Sequence, residues 1–216
     1  LMKEVLLTTP DQPCFIGSWY LPNVNICDDI VRVFNTDFFR KAEGTTGGPF
    51  QPIVDKTKKD SIDAELRERP DLADNFTANL LAVLEKYKEK FPFANDVETY
   101  CVDSLNIQQY PKDGAYHAWH AEREGHNFRH LVWMTYLNDI EEGGETEFFH
   151  QKIKVTPRKG LTLIWPVDWT HTHRGLAAPN EEKMIITGWF SFLEKQATLE
   201  EIDSLKRIEP AVALAG

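Results

Sequence analysis

The second half of the chain alternates short β-favouring runs with turn signals, and that pattern leaves few architectures open. Residues 97–110, 129–137, 145–149, 153–156, 161–165 and 183–192 favour β structure, and Gly, Pro, Asn and Asp separate them. Several short strands at this spacing predict a sandwich or barrel. The first half reads differently. Within residues 75–91, Phe76, Leu80, Val83, Leu84, Tyr87 and Phe91 recur at intervals of three and four, the mark of a helix with one apolar face. A shorter helix is expected where Asp28-Asp29 precede Ile30, Val31, Val33 and Phe34, because acidic side chains complement a helix N-terminus. Residues 1–25, with Pro10, Pro13, Gly17 and Pro22, read as irregular or edge-strand structure, and residues 44–52 as a loop. Helices first and strands afterwards define an α+β class, with helices buttressing a β core.

At 216 residues and 42% hydrophobic content the chain can bury one sizeable core. We expect one domain: N-terminal helical and irregular support over residues 1–96, a catalytic β core over 97–192, and a tail over 193–216 with a short helix near 199–207. The net charge of −10 disfavours broad contact with phosphate backbones, so nucleic acid is not the expected partner. Cys14, Cys27 and Cys101 are widely spaced and suit buried free thiols in a reducing compartment. Val5-Leu6-Leu7 is too short for a signal-peptide core, and no run approaches the roughly 20 apolar residues of a membrane span. A cytoplasmic location and no membrane partner are the expectation.

Chemistry is most legible at His120 and Glu122. On extended backbone, residues i and i+2 share a face, so this pair can offer an imidazole and a carboxylate to one metal while Ala121 turns away. None of the other six histidines has a carboxylate two residues later. A second His from a remote strand would complete a two-His-one-carboxylate set with open coordination positions, the expected signature of a non-heme Fe(II) oxygenase. His171 and His173 share a face if extended, and alternation alone does not choose between them.

From Tyr110 to Phe192 the chain resembles the Fe(II)/2-oxoglutarate-dependent dioxygenases of the prolyl 4-hydroxylase type. The matching positions are Tyr110, Gly114 and Tyr116; Trp119-His120-Ala121-Glu122; Tyr136-Leu137-Asn138; Gly143-Gly144-Glu145-Thr146 with Phe148; Pro157 with Gly160; Trp165-Pro166; His173; and Lys183 with Trp189. Upstream, residues 58–66 look similar to a substrate-side strand of such enzymes. The resemblance implies a double-stranded β-helix, or jelly-roll, core. In that family a basic residue follows the distal His by about ten positions. This selects His173 with Lys183, since the tenth residue after His171 is Glu181.

The resemblance further implies His120, Glu122 and His173 as metal ligands and catalytic centre. Lys183 would pair with the far carboxylate of 2-oxoglutarate, and Tyr136 and Tyr110 would donate hydroxyl hydrogen bonds to it. The implied cofactors are Fe(II) and 2-oxoglutarate, with ascorbate as a reductant. The implied reaction is hydroxylation of an unactivated C–H by O2, releasing succinate and carbon dioxide, on a peptidyl proline or on another peptide, protein or small molecule. One departure stands out: most members carry Asp where this chain has Glu122, one methylene longer. Two alternatives frame the reading. Two His and one Glu also describe catalytic zinc in a hydrolase, and a non-catalytic binding module could keep the fold without iron.

Overall fold

The computed structural model describes residues 2–7, 14–46, 52–95, 100–123 and 128–192. Strand Gly17–Tyr20 (β1) leads to helix Asn25–Phe34 (α1), then to strands Ala42–Glu43 (β2) and Ile62–Glu65 (β3) and to helix Pro70–Lys90 (α2). The β core follows as Tyr100–Tyr110 (β4), Arg129–Tyr136 (β5), Thr146–Phe148 (β6), Ile153–Val155 (β7), Leu161–Pro166 (β8), His173–Gly175 (β9) and Lys183–Phe192 (β10). Residues 97–99 and the helix expected near 199–207 lie outside the described residues.

Both helices begin earlier than the sequence pattern indicates. In α2, Pro70 occupies the first turn, where its missing N–H needs no partner, and Asp71 beside it complements the helix dipole. Lys88 and Lys90 do the same at the other end. That first turn is largely solvent-facing, with Ala73 its buried residue, so it leaves little apolar signature. Helix α1 likewise starts at Asn25 and takes Asp28 into its first turn.

The strands form a seven-stranded sheet, ordered β1-β8-β5-β10-β4-β3-β2, and a three-stranded sheet, ordered β7-β6-β9. Every pairing is antiparallel, as expected of a jelly-roll. Strands β1, β2 and β3 show that the N-terminal portion supplies sheet as well as helical support. Strand β1 sits at the edge, beside β8. Strand β9 has three residues and is held by β6, with Phe148 opposite His173.

The central strands of the large sheet are buried on both faces, which is why β5 and β10 read as nearly continuous apolar runs. Alternate residues go to different cores. Leu131, Trp133, Met184, Ile186 and Phe190 pack with Phe34, Phe76, Leu80, Val83 and Tyr87 under the helices. Val132, Met134, Tyr136 and Ile185 pack with Phe148, Val155, Leu163 and Trp165 between the two sheets. Among the described residues no helix is long and apolar enough to cross a membrane.

The helix–sheet contact is tested at Phe76, fully buried with its ring centroid 5.6 Å from that of Trp133. Phe76→Ala should destabilise the fold by about 3–5 kcal/mol in urea unfolding, from lost burial plus the cavity left behind. Leu81 lies on the exposed face of the same helix, and Leu81→Ala should cost under ~1 kcal/mol.

Candidate active site

Strand parity delivers the site. Lys183, Ile185, Thr187 and Trp189, alternate residues of β10, all face the space between the sheets. Their neighbours on β4, paired in register as Lys183 with Tyr110, Ile185 with Gln108 and Thr187 with Asn106, face the same space. A cavity of about 330 Å³ opens there, within the range of small-molecule sites. His120, Glu122 and His173 also line it.

Two backbone hydrogen bonds bring the histidines together. His120 N–H donates to the His173 carbonyl at 3.0 Å, and His173 N–H donates to the His120 carbonyl at 2.9 Å. Each imidazole is then fixed by the carbonyl two residues before it: His120 Nδ1 lies 2.9 Å from Ala118 O, and His173 Nδ1 lies 3.0 Å from His171 O. A proton on Nδ1 satisfies both contacts and leaves both Nε2 lone pairs free. Glu122 Oε1 lies 3.5 Å from His120 Nε2 and 3.9 Å from His173 Nε2.

The other Glu122 oxygen is occupied. Trp189 Nε1 donates to Oε2 at 3.0 Å, and the Arg129 guanidinium, stacked on the Trp189 ring at 3.4 Å, lies 3.6 Å from it. The indole thereby turns Oε1 toward the imidazoles and gives the longer Glu side chain a fixed orientation. The three donor atoms lie within 4.8 Å of one another, a set that could hold a metal ion. Protonation agrees. Burial works to raise the Glu122 carboxyl, but the hydrogen bond and charge of His120, with His173 and Arg129, outweigh it and bring it to about 2. Burial, then the charge of His120, pushes His173 down to about 3. At neutral pH the residues present an anion and an unprotonated imidazole, as metal ligation requires.

His171 is directed elsewhere. Its Nε2 lies 3.1 Å from Cys14 O, and its Nδ1 lies 3.0 Å from Thr170 Oγ1. Deeper in the cavity, Lys183 is buried, and its Nζ donates to Gly144 O at 3.1 Å and Leu176 O at 3.4 Å. Gly143 and Gly144, at φ of 75° and 72°, form the left-handed turn that presents the first carbonyl. Burial lowers the Lys183 ammonium to about 8, against the opposing charge of Glu145. A buried ammonium held by two neutral carbonyls suits a ligand carboxylate.

The two tyrosines differ. Tyr110 lines the cavity, its ring 5.0 Å from Lys183 Nζ, and its hydroxyl donates to Gln108 Oε1 at 2.7 Å. Tyr136 is fully buried behind the wall. Its hydroxyl donates to Thr146 Oγ1 at 2.7 Å and lies 3.1 Å from Val155 O, so Thr146 is the hydroxyl that faces the space. On the outer side, buried Lys59 pairs with half-buried Asp63 at 2.6 Å, and Ser61 and Asn106 also donate to Asp63. Tyr116 stacks on His120 with centroids 3.7 Å apart.

Residues 105–191 match the family model of the 2OG-Fe(II) oxygenase superfamily. Among solved structures, the chain is similar to a Pseudomonas putida prolyl-4-hydroxylase, at 17% identity over 82% of this chain and 92% of that one, with a TM-score of 0.62. It is similar to the viral collagen prolyl hydroxylase of Paramecium Bursaria Chlorella virus-1 in its 2OG complex, at 16% identity over 86% and 100%, with a TM-score of 0.58. A Trichoplax adhaerens prolyl hydroxylase, in complex with a hypoxia inducible factor peptide fragment, matches at 16% identity over 77% and 76%, with a TM-score of 0.59. No curated protein matches the sequence. The fold is thus shared with these structures, and the β core is similar over residues 105–191 to the 2OG-Fe(II) oxygenase superfamily, whose members use Fe(II) and 2-oxoglutarate. The His-Glu-His group that could hold a metal ion falls within the matched residues.

Metal binding separates the histidines. His173→Ala should abolish Co(II) binding in calorimetry, whereas His171→Ala should leave it within about threefold of wild type. Trp189→Phe, which removes the N–H and keeps a ring, should weaken binding by roughly 10–100-fold.

Proposed function

We propose that this protein hydroxylates a proline residue within a peptide, converting 2-oxoglutarate and O2 to succinate and carbon dioxide as it does so. The observation that carries this reading is a single cavity lined both by His120, Glu122 and His173 and by the buried ammonium of Lys183. We assign the first three to Fe(II) and Lys183 to the far carboxylate of 2-oxoglutarate. Tyr110 lines the same end of the cavity, and Tyr136 acts there through the Thr146 hydroxyl.

When bound, Fe(II) with 2-oxoglutarate supplies the oxidising power that places one oxygen atom of O2 into a substrate C–H bond. The protein's part is positional. Ala118 and His171 carbonyls hold the imidazoles in one tautomer, Trp189 holds Glu122, and Met134 and Ile185 keep the inner wall apolar. The outer wall, with Lys59, Asp63 and Asn106, faces incoming substrate. Proline is favoured by two similarities: a collagen prolyl hydroxylase, and a prolyl hydroxylase bound to a peptide fragment. A zinc hydrolase would leave the buried Lys183 ammonium without an anion to receive.

Proline peptides incubated with the protein, Fe(II), ascorbate and 2-oxoglutarate should gain one oxygen atom by mass spectrometry, with matching succinate. Succinate formed without oxygen gain across proline peptides would contradict the proline assignment.

The Lys183 assignment has a pH signature. Its lowered ammonium is charged below about 8 and neutral above, so the KM for 2-oxoglutarate should be flat at lower pH. It should then rise about tenfold per unit above that point. Lys183→Ala should raise the KM by roughly a hundredfold at pH 7 while Co(II) binding persists.

A further inference from the structure

Four exposed aromatic rings form an unbroken path away from the cavity. Arg174, which lines the cavity beside His173, lies 4.3 Å over the Trp119 ring. Trp119 meets Phe149 edge-on with centroids 5.2 Å apart, Phe149 meets His150 at 5.1 Å, and His150 meets Trp169 at 5.8 Å. Trp119 is 38% exposed, Phe149 44% and Trp169 70%. Large rings in contact with one another and with water are an unusual expense for a monomer surface and mark interaction sites.

The path is anchored where the metal-site residues are. Trp119 precedes His120 and Arg174 follows His173, so its inner end cannot move independently of the site. Phe149 and His150 occupy the tight turn after β6, and Phe149 N–H donates to the Thr172 carbonyl at 2.8 Å. Trp169 begins the short helical turn that leads to His173.

We infer that this ring path is the docking surface for the polypeptide flanking the residue in the cavity, and that its occupant is an extended, proline-containing segment. This rests on the peptide reading above. Proline rings and the ridged polyproline helix pack well on aromatic faces and reach them with little entropy left to lose. Three steps of 5.1 to 5.8 Å accommodate at most about five residues at ~3.1 Å each. Stacked nucleotide bases are the rival occupant for exposed rings. A net charge of −10 opposes a polyphosphate chain but not a neutral peptide.

The test is fluorescence anisotropy of a dye-labelled twelve-residue peptide of repeating Ala-Pro-Ala on the full chain, with the capped tripeptide Ala-Pro-Ala and a twenty-residue oligothymidylate as competitors. The twelve-residue peptide should bind more tightly than the tripeptide, and oligothymidylate should not displace it. Trp169→Ala and Phe149→Ala should each weaken it by about fivefold to tenfold. Phe93→Ala, at an exposed ring remote from the path in sequence, should not. Wild-type affinity in both path variants, no binding of the long peptide, or displacement by oligothymidylate would overturn the inference. Ring-dependent binding without oxygen gain would leave the docking surface standing and sink the proline reading. Oxygen gain with ring-independent binding would do the reverse.

Discussion

Two hydrogen bonds between His120 and His173, closing a reciprocal backbone bridge at 3.0 and 2.9 Å, are the constraint on which the rest of the structure depends. They join a segment after the long strand β4 to a three-residue strand of the small sheet. In doing so they set two imidazoles 4.3 Å apart, centroid to centroid. Neither ring is left to choose its orientation, because each is tied to a carbonyl two residues behind it. A site built from backbone geometry in this way is rigid before any ligand arrives, and preorganisation of that kind lowers the cost of binding.

The second constraint is the parity of β10. With both faces of the large sheet buried at its centre, alternate residues of β10 are committed to the helices and the others to the inter-sheet space. Lys183 and Trp189 share the inner face and stand at opposite ends of one strand, one holding a deep cation and the other steering Glu122. A shift of one residue in register would exchange these groups for Met184 and Phe190 and empty the site of its chemistry. Fold and function are specified by the same alternation.

Much of this was legible in residues alone. The Phe76-to-Phe91 stripe marked α2, the β-favouring runs marked β4, β5, β8 and β10, and the His-x-Glu spacing marked two members of the metal group. The resemblance, not the spacing, chose His173 over His171; in the structure His173 lies beside Glu122, and His171 Nε2 lies 3.1 Å from Cys14 O. Other features were not legible because their signals are long-range. Strand β9 is too short to carry periodicity, and the edge strands of the N-terminal portion gain their identity from partners far along the chain. Trp189 entered only as a position matching the resemblance, although its spacing of six from Lys183 places both on one face. Tyr136 lies behind the cavity wall, and its hydroxyl meets Thr146, which lines the space, a pairing between strands that no local pattern announces. The Lys59–Asp63 pair became visible only once β3 was laid beside β4.

The most direct measurement is an anaerobic titration of the protein with Fe(II) and 2-oxoglutarate, followed in the visible spectrum. If His120, Glu122 and His173 hold the metal while Lys183 receives the keto acid, a charge-transfer band should appear only when both are present, and saturate at one equivalent of iron. No band at saturating concentrations of both would contradict the assignment of this cavity.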